Sequence, residues 1–351
     1  MNTRSAARIG RGTSEVSDAV IAVENLQVSF RYSGVLTPVV RSASFAVGAG
    51  ETVGLVGESG SGKTVTAMAM LGLIRPLGGE ISNGRIMLQG KDVTHLKERQ
   101  WSDIRGQEIA VIFQQAIRSL NPAFTVGEQL AESVRRHVGL SRKEAWTRAV
   151  EMLDRVHIAR PAERATMYPH QLSGGMCQRA MIAMALMCSP KVLIADEPTT
   201  ALDVTVQRHI LALLREIQAE TGVAIVFITH DLGVIAQMAD SVAVMYAGEV
   251  VEQAGVRELF EHPRHPYTEG LLASIPTGGE RRLGSIPGRV PAPTTMPGGC
   301  RFHPRCSYVV EQLCTTGGPH ELHPSAGGTS QCLRSEDLNL VGHTVKRGAT
   351  R

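Results

Sequence analysis

The sequence predicts an α/β protein with an antiparallel β subdomain ahead of its core, a helical insertion within it and an irregular extension after it. Three observations carry that reading. The strand-like run Glu51-Thr52-Val53-Gly54-Leu55-Val56 passes into Gly57-Glu58-Ser59-Gly60-Ser61-Gly62-Lys63-Thr64 and then into an apolar helix start. A short apolar strand, Val192 to Ala195, ends in Asp196-Glu197-Pro198. A third apolar run, Ala224 to Thr229, carries His230 and Asp231 at its tip. Polar groups at the C-terminal ends of such strands stand where open α/β sheets bind ligands.

Before the loop, Ile21, Val23, Leu26, Val28 and Phe30 roughly alternate with polar residues, and Val39 to Val47 forms a second run. Together they predict an antiparallel sheet. Tyr32 stands where a sheet edge could stack on an adenine ring, and a plain surface tyrosine is the other reading. The loop itself is a phosphate cradle: glycines let the chain turn tightly and aim N–H groups inward, and the next helix adds its dipole. Lys63 would reach the β- and γ-phosphates, and Thr64 would offer its hydroxyl to Mg²⁺.

After the loop helix, Ile86-Met87-Leu88, a polar helix-like stretch from Thr94 to Ile104, and the strand Ile109 to Phe113 follow, with Gln114 at that strand's end. From Val126 to about Arg164 the pattern is helical: Val126, Leu130 and Val134 share one face, and Val150, Leu153 and Val156 another. Gln171 to Arg179 leads into a helix through Met187, stopped by Pro190. Met181, Met184 and Met187 recur at helical spacing, which reads as core packing rather than a metal-binding stripe. A further helix with Ile210, Leu213, Leu214 and Ile217 on one face ends at Gly222. Val242 to Tyr246 and Glu249 to Glu252 close a hairpin at Ala247-Gly248. Beyond Phe260 proline and glycine accumulate, marking a separate region.

The charge balance, 36 basic against 33 acidic residues for a net +3, is too small to point to nucleic acid or anionic lipid. Arg4, Arg8 and Arg11 make a thin basic tail. No run approaches the ~18 apolar residues of a membrane span, and no leader pattern opens the chain, so a soluble, cytoplasmic protein is expected. In that compartment six cysteines do not make a disulfide framework.

The candidate chemistry is phosphoryl transfer to water. Asp196 would hold Mg²⁺, directly or through water, and Glu197 would polarise the attacking water. His230 would reach the γ-phosphate, and Gln114 would contact Mg²⁺ or the water through an uncharged amide.

The series formed by residues 57–64, Gln114, Leu172-Ser173-Gly174-Gly175, Ile194-Ala195-Asp196-Glu197-Pro198, Ala201-Leu202-Asp203 and His230 resembles that of an ABC-type ATPase. Ser-Gly-Gly at a helix N-terminus, between loop and acidic strand, is the discriminating part. The resemblance implies a P-loop NTPase fold of ABC type, with ATP and Mg²⁺ as cofactors. It implies a head-to-tail dimer in which Ser173, Gly174 and Gly175 serve the partner's nucleotide and Asp203 communicates across the interface.

Phe113-Gln114, Ser119-Leu120-Asn121-Pro122, Gly127-Glu128-Gln129 and His262-Pro263-Arg264-His265-Pro266-Tyr267-Thr268 resemble the oligopeptide/dipeptide branch of importer ATPases, which includes nickel importers. Gln115-Ala116 and Cys177 depart from that branch, which commonly has Asp-Pro and Arg there. The first departure falls where the ATPase meets the membrane subunit.

The resemblance implies an ATP-hydrolysing subunit that energises import of di- or oligopeptides or related small solutes from the cytoplasmic face of the membrane. Its implied partners are a second, related but different ATPase chain, two transmembrane permeases and an extracytoplasmic solute-binding protein, with no nucleic acid. A soluble ABC ATPase in DNA repair or translation is the competing expectation, and a non-hydrolysing regulator a third. The implied domains are a flexible tail at 1–18, the ATPase at 19–260 with its helical subdomain at about 115–190, and an importer-type extension at 261–351.

Cys300, Cys306, Cys314 and Cys332 stand at intervals of five, seven and seventeen residues in a segment poor in apolar side chains. Four thiolates could organise such a segment around a metal. The resemblance implies a [4Fe-4S] cluster, for which four cysteines are the right ligand set. Zinc competes, with His303, His320 and His323 nearby, and free structural thiols are the third reading. Cys177 and Cys188 are expected in a helix, as packing residues.

Overall fold

The computed structural model describes residues 19–200, 202–275, 284–317 and 321–344. The expected tail at 1–18, Ala201, Pro276 and His320 lie outside the described residues.

The long strands β1 (Ala19–Tyr32) and β2 (Val35–Gly48) pair antiparallel, as the alternation predicted. The third strand, β3 (Thr52–Val56), leads into the loop. Two more, β4 (Gly79–Leu88) and β5 (Lys91–Asp92), complete the antiparallel layer, with β4 against the free edge of β1. The core strands are β6 (Ile109–Ile112), β7 (Val192–Asp196) and β8 (Ala224–Thr229), then the hairpin β9 (Ser241–Tyr246) and β10 (Glu249–Gly255). Two short strands, β11 (His323–Ser325) and β12 (Gly328–Ser330), follow.

The sheet order is β5-β4-β1-β2-β10-β9-β3-β8-β7-β6, and β9, β3, β8, β7 and β6 run parallel. The parallel strands bury both faces, which is why they read as unbroken apolar runs. In β8, Ile225 and Phe227 enter one core while Ala224, Val226 and Ile228 enter the other. Period-two geometry sends neighbours to opposite faces.

One core lies between the parallel sheet and the helical insertion. Helices Val126–His137 and Arg142–Arg155 each begin in a capping box, Thr125 with Glu128 and Ser141 with Glu144. In such a box side chains satisfy orphan N–H groups at the helix start. Val126, Leu130 and Val134 are buried there, as are Leu153 and Val156. The helix expected from Thr94 begins only at Glu98, because the Thr94 hydroxyl and N–H both donate to Asp92 and hold a turn. The helix through Cys177 is Gly174–Leu186, so Cys188 falls beyond its end, half-buried, whereas Cys177 is buried within it.

The extension after Phe260 is tied to the main sheet. β12 pairs antiparallel with β10, and Arg41 of β2 donates to the carbonyl of Pro293. Phe302 packs edge-on against Tyr246 of β9 and tilted against Tyr267. Such aromatic pairs contribute about 0.5–1.5 kcal/mol each beyond their burial. Buried Glu249 of β10 pairs with Arg301 at 3.2 Å.

Candidate nucleotide site

The four parallel strands β3, β8, β7 and β6 are neighbours, so their C-terminal ends bring residues 57–64, His230, Asp196-Glu197 and Gln114 to one edge of the sheet. The loop keeps Gly57, Gly60 and Gly62 at φ of 151°, 82° and 107°. At Gly57 the requirement is also steric, since a Cβ there would stand 2.1 Å from the carbonyl oxygen of Met245. Gly62 caps helix Lys63–Met70 without a side-chain hydrogen bond, leaving its first N–H groups for an anion.

Lys63 is buried, and its Nζ donates to the carbonyls of Gly57 (2.7 Å) and Glu58 (2.9 Å) and to Ser61 Oγ (3.3 Å). Burial lowers its pKa, while Glu197, Asp196 and Glu58 support the charge. Asp196 is buried too; burial raises its pKa, and a hydrogen bond from exposed Thr64 acts the other way. A carboxylate joined to a hydroxyl beside the phosphate loop is a suitable donor set for Mg²⁺.

Glu197 is the hub. Its φ is 49°, a left-handed backbone uncommon for this residue type and found where a site stores strain. Its Oε1 lies 3.0 Å from His230 Nδ1, and its Oε2 accepts from Gln114 Nε2 at 2.8 Å and Thr200 Oγ1 at 2.8 Å. Burial works against ionisation, but the bonds from His230 and Thr200 and the charges of His230 and Lys63 prevail, holding the carboxyl below its usual range. Three predicted residues thus meet at one carboxylate. Thr200 was missed by sequence reasoning, although it follows Glu197 at the three-residue spacing of a tight turn.

Tyr32 ends β1 with 45% of its surface exposed, an accessible ring. Ser173 caps helix Gly174–Leu186, accepting from Met176 N–H, and both Ser173 and Gly174 face solvent. Among the described residues no hydrogen bond or ion pair joins Ser173, Gly174 or Gly175 to residues 57–64. The helix instead reaches the acidic strand through Gln178, whose amide donates to the carbonyl of Pro198 at 2.6 Å. Asp203 caps helix Val204–Thr221, accepting from the N–H groups of Thr205 and Val206.

Cys300, Cys306, Cys314 and Cys332 line one cavity of about 20 Å³ together with His265 and His303. Burial, and to a lesser extent the neighbouring thiols, push Cys300 up to about 12 and Cys332 up to about 11. Even so, among the described residues no group of three or more His, Cys, Asp or Glu side chains comes together as a metal-holding set. The expected iron–sulfur cluster or zinc site is therefore not supported by this geometry. His323 faces Ser335 Oγ at 3.3 Å.

Among the described residues no helix is long and apolar enough to cross a membrane. The ABC transporter family profile matches residues 40–200, and that of the oligopeptide/dipeptide transporter C-terminal region matches residues 251–314. The chain is 47% identical over 320 residues to the oligopeptide transport ATP-binding protein AppD of Bacillus subtilis (strain 168), covering 91% of this chain and 97% of that one. It is 48% identical over 333 residues to the dipeptide transport ATP-binding protein DppD of the same organism, covering 93% and 98%.

Among solved structures, the dimeric post-hydrolysis state of the ATP-binding cassette MJ0796, bound to ADP and Pi, matches with a TM-score of 0.59 at 28% identity, over 68% of this chain and 99% of that one. CbiO1 from Clostridium perfringens, part of the ABC transporter complex cbiONQ, matches with a TM-score of 0.60 at 28% identity, over 69% and 91%. These likenesses span the loop, the acidic strand and the C-terminal extension, and they agree with the geometry at the sheet edge: the chain belongs to the ABC transporter family of ATPases, in the group that carries the oligopeptide/dipeptide transporter C-terminal region.

Proposed function

We propose that the chain is the ATP-binding and hydrolysing subunit of a membrane importer for di- or oligopeptides or related small solutes. The observation that carries this is the match of residues 251–314 to the oligopeptide/dipeptide transporter C-terminal region, behind an ATPase core. The competing assignment to DNA repair or translation has no support among the relatives.

Within this reading the chain works at the cytoplasmic face of the membrane beside a second, related ATPase subunit, two transmembrane permeases and an extracytoplasmic solute-binding protein. Residues 19–260 form the ATPase, with its helical subdomain at about 115–190, and residues 261–351 the importer-type extension. Lys63 and the N–H groups of residues 57–64, that of Glu58 excepted, hold the phosphates, and Tyr32 stacks on the adenine. Thr64, Asp196 and Gln114 would hold Mg²⁺, which supplies charge neutralisation on the phosphates. Glu197, held ionised and aimed by Gln114, Thr200 and His230, accepts a proton from the attacking water. Ser173 and Gly174, open to solvent, and half-buried Gly175 close over the partner's ATP, and Asp203 lies at that interface.

The four cysteines are assigned to one metal centre, a [4Fe-4S] cluster with zinc as the alternative. The four share one cavity, although as arranged they do not form a metal-holding set. The cavity holds about one water-sized body, so a cluster would seat only if the thiols moved apart. Anaerobically purified protein with about four irons per chain and a visible absorption band supports the cluster. Colourless protein with zinc supports the alternative, and neither metal ends the assignment.

The functional reading is tested by reconstituting the chain with the second ATPase subunit, the permeases and the solute-binding protein expressed from neighbouring genes. Peptide-stimulated ATP hydrolysis is expected. Copurification with ribosomes or DNA, without permeases, would refute it.

A further inference from the structure

Glu58 is the second residue of the phosphate loop, and residues far along the chain hold it at both ends. Its backbone N–H donates to Tyr267 Oη at 2.8 Å, so this amide faces the protein interior rather than the phosphate cradle. Its carboxylate takes a two-pronged bond from Arg305, Nη1 to Oε2 at 2.6 Å and Nη2 to Oε1 at 3.0 Å.

Arg305 in turn has little freedom. Its side chain is 5% exposed, and its Nε donates to the carbonyl of Pro287 at 2.7 Å. Its guanidinium lies 5.7 Å from the Tyr246 ring centre and 6.0 Å from that of Phe302. The turn that carries it, His303–Arg305, ends directly before Cys306. The arginine is therefore anchored from the extension, through Pro287, Phe302 and the cysteine-bearing turn, at the same time as it holds the loop.

We propose that Arg305 is a positioning residue for the phosphate loop, which makes nucleotide affinity depend on how the C-terminal extension is seated. The inference rests on residues 57–64 being the ATP site. A loop with three left-handed glycines has many alternative conformations. Nucleotide binds only the fraction of loops already in the receptive one, so releasing Glu58 lowers apparent affinity by that fraction. The planar fork of arginine fits a carboxylate at two points, and lysine replaces it only as a point charge. Arg305 reaches the loop at the Glu58 carboxylate and acts through it. Any change that reseats the turn before Cys306 moves the arginine and reaches the loop.

The test uses the full chain, titrated with a fluorescent ATP analogue and Mg²⁺, and the assembled transporter for steady-state kinetics. R305A is expected to raise the nucleotide Kd and the KM for ATP on the order of tenfold, with kcat within about twofold of wild type. R305K should recover part of the loss. In an E58Q background R305A should add less than about a twofold further change, because the arginine works through that carboxylate.

A folded R305A with wild-type affinity overturns the inference, as does an R305A effect undiminished by E58Q. Should R305A fail to fold, E58Q alone carries the test: a rise in Kd of about threefold or more is expected, and unchanged affinity overturns it. Wild-type chain that does not bind the analogue would instead refute the ATP-site reading, which separates the two failures.

Discussion

Replacing Glu197 with glutamine isolates its charge from its shape. The carboxylate is 18% exposed and has three partners. A glutamine oxygen at the Oε2 position still accepts from Gln114 and Thr200, both at 2.8 Å. The amide nitrogen then falls at the Oε1 position, 3.0 Å from His230 Nδ1, and donates to that nitrogen in the tautomer protonated at Nε2. No donor or acceptor is left unpaired, so folding stability should change by less than about 1 kcal/mol. One negative charge is removed beside the phosphates, so ATP affinity should hold or increase.

What is lost is the proton acceptor. General-base catalysis contributes about 10²- to 10⁴-fold, equivalent to roughly 3 to 5 kcal/mol on the barrier. Phosphate release by the assembled transporter, measured beside equilibrium ATP binding, separates the two effects. The expected result is normal binding with turnover down at least a hundredfold, about the lower end of that range. Turnover within about threefold of wild type would remove Glu197 from the chemistry. The carboxyl is held below its usual range, so kcat should not fall on its account as pH drops from about 8 to about 6.

Three further outcomes are expected. Burial raises Glu252 to about 7, although the N–H groups of Arg264 and His265 donate to it. An acid whose pKa is raised by folding binds its proton more tightly in the folded state, so stability falls as pH rises from about 4.5 through about 7, by roughly 3 kcal/mol. E252Q should flatten that part of the melting profile, and an unchanged slope would contradict the assignment. Asp203→Ala removes two capping bonds and should cost about 1 kcal/mol of stability, read as a small drop in Tm with ATP binding by the chain unchanged. Tyr32→Ala should weaken ATP binding in proportion to about 1–3 kcal/mol of base stacking, and equal affinity would return Tyr32 to an ordinary surface residue.

The sheet edge was legible because β7 and β8 are apolar runs that end in polar residues. Val192–Asp196 and Ala224–Thr229 could be read without knowing which strand neighbours which. The helical insertion was legible for another reason: Thr125 with Glu128 and Ser141 with Glu144 mark helix starts by chemistry local to four residues. Pairing between distant segments leaves no such mark. Period two shows that Gly328–Ser330 could be a strand, but not that β10 is its neighbour. The Arg305–Glu58 pair spans 247 positions, and neither residue differs locally from any other charged side chain. Thr200 was hidden in the opposite way, inside a motif read for its acids.

The extension has few apolar side chains with which to build a core, and besides the β12 pairing and the packing of Phe302 and Tyr267 it is held by carboxylates offered by the ATPase side. Glu58 holds Arg305, Glu249 holds Arg301, and Glu252 accepts from the backbone of Arg264 and His265. Buried pairs of this kind add little net stability compared with apolar packing, since desolvation offsets much of the attraction. Breaking the buried Glu249–Arg301 pair, however, strands a charge and costs about 3–5 kcal/mol, and less is lost at Glu58, whose side chain is 31% exposed. Such ties therefore select one seating of the extension and penalise near misses. Because one of the three carboxylates belongs to the phosphate loop, the seating they select also fixes the loop's backbone at Glu58, and an arrangement that loses the extension cannot leave the nucleotide site unchanged.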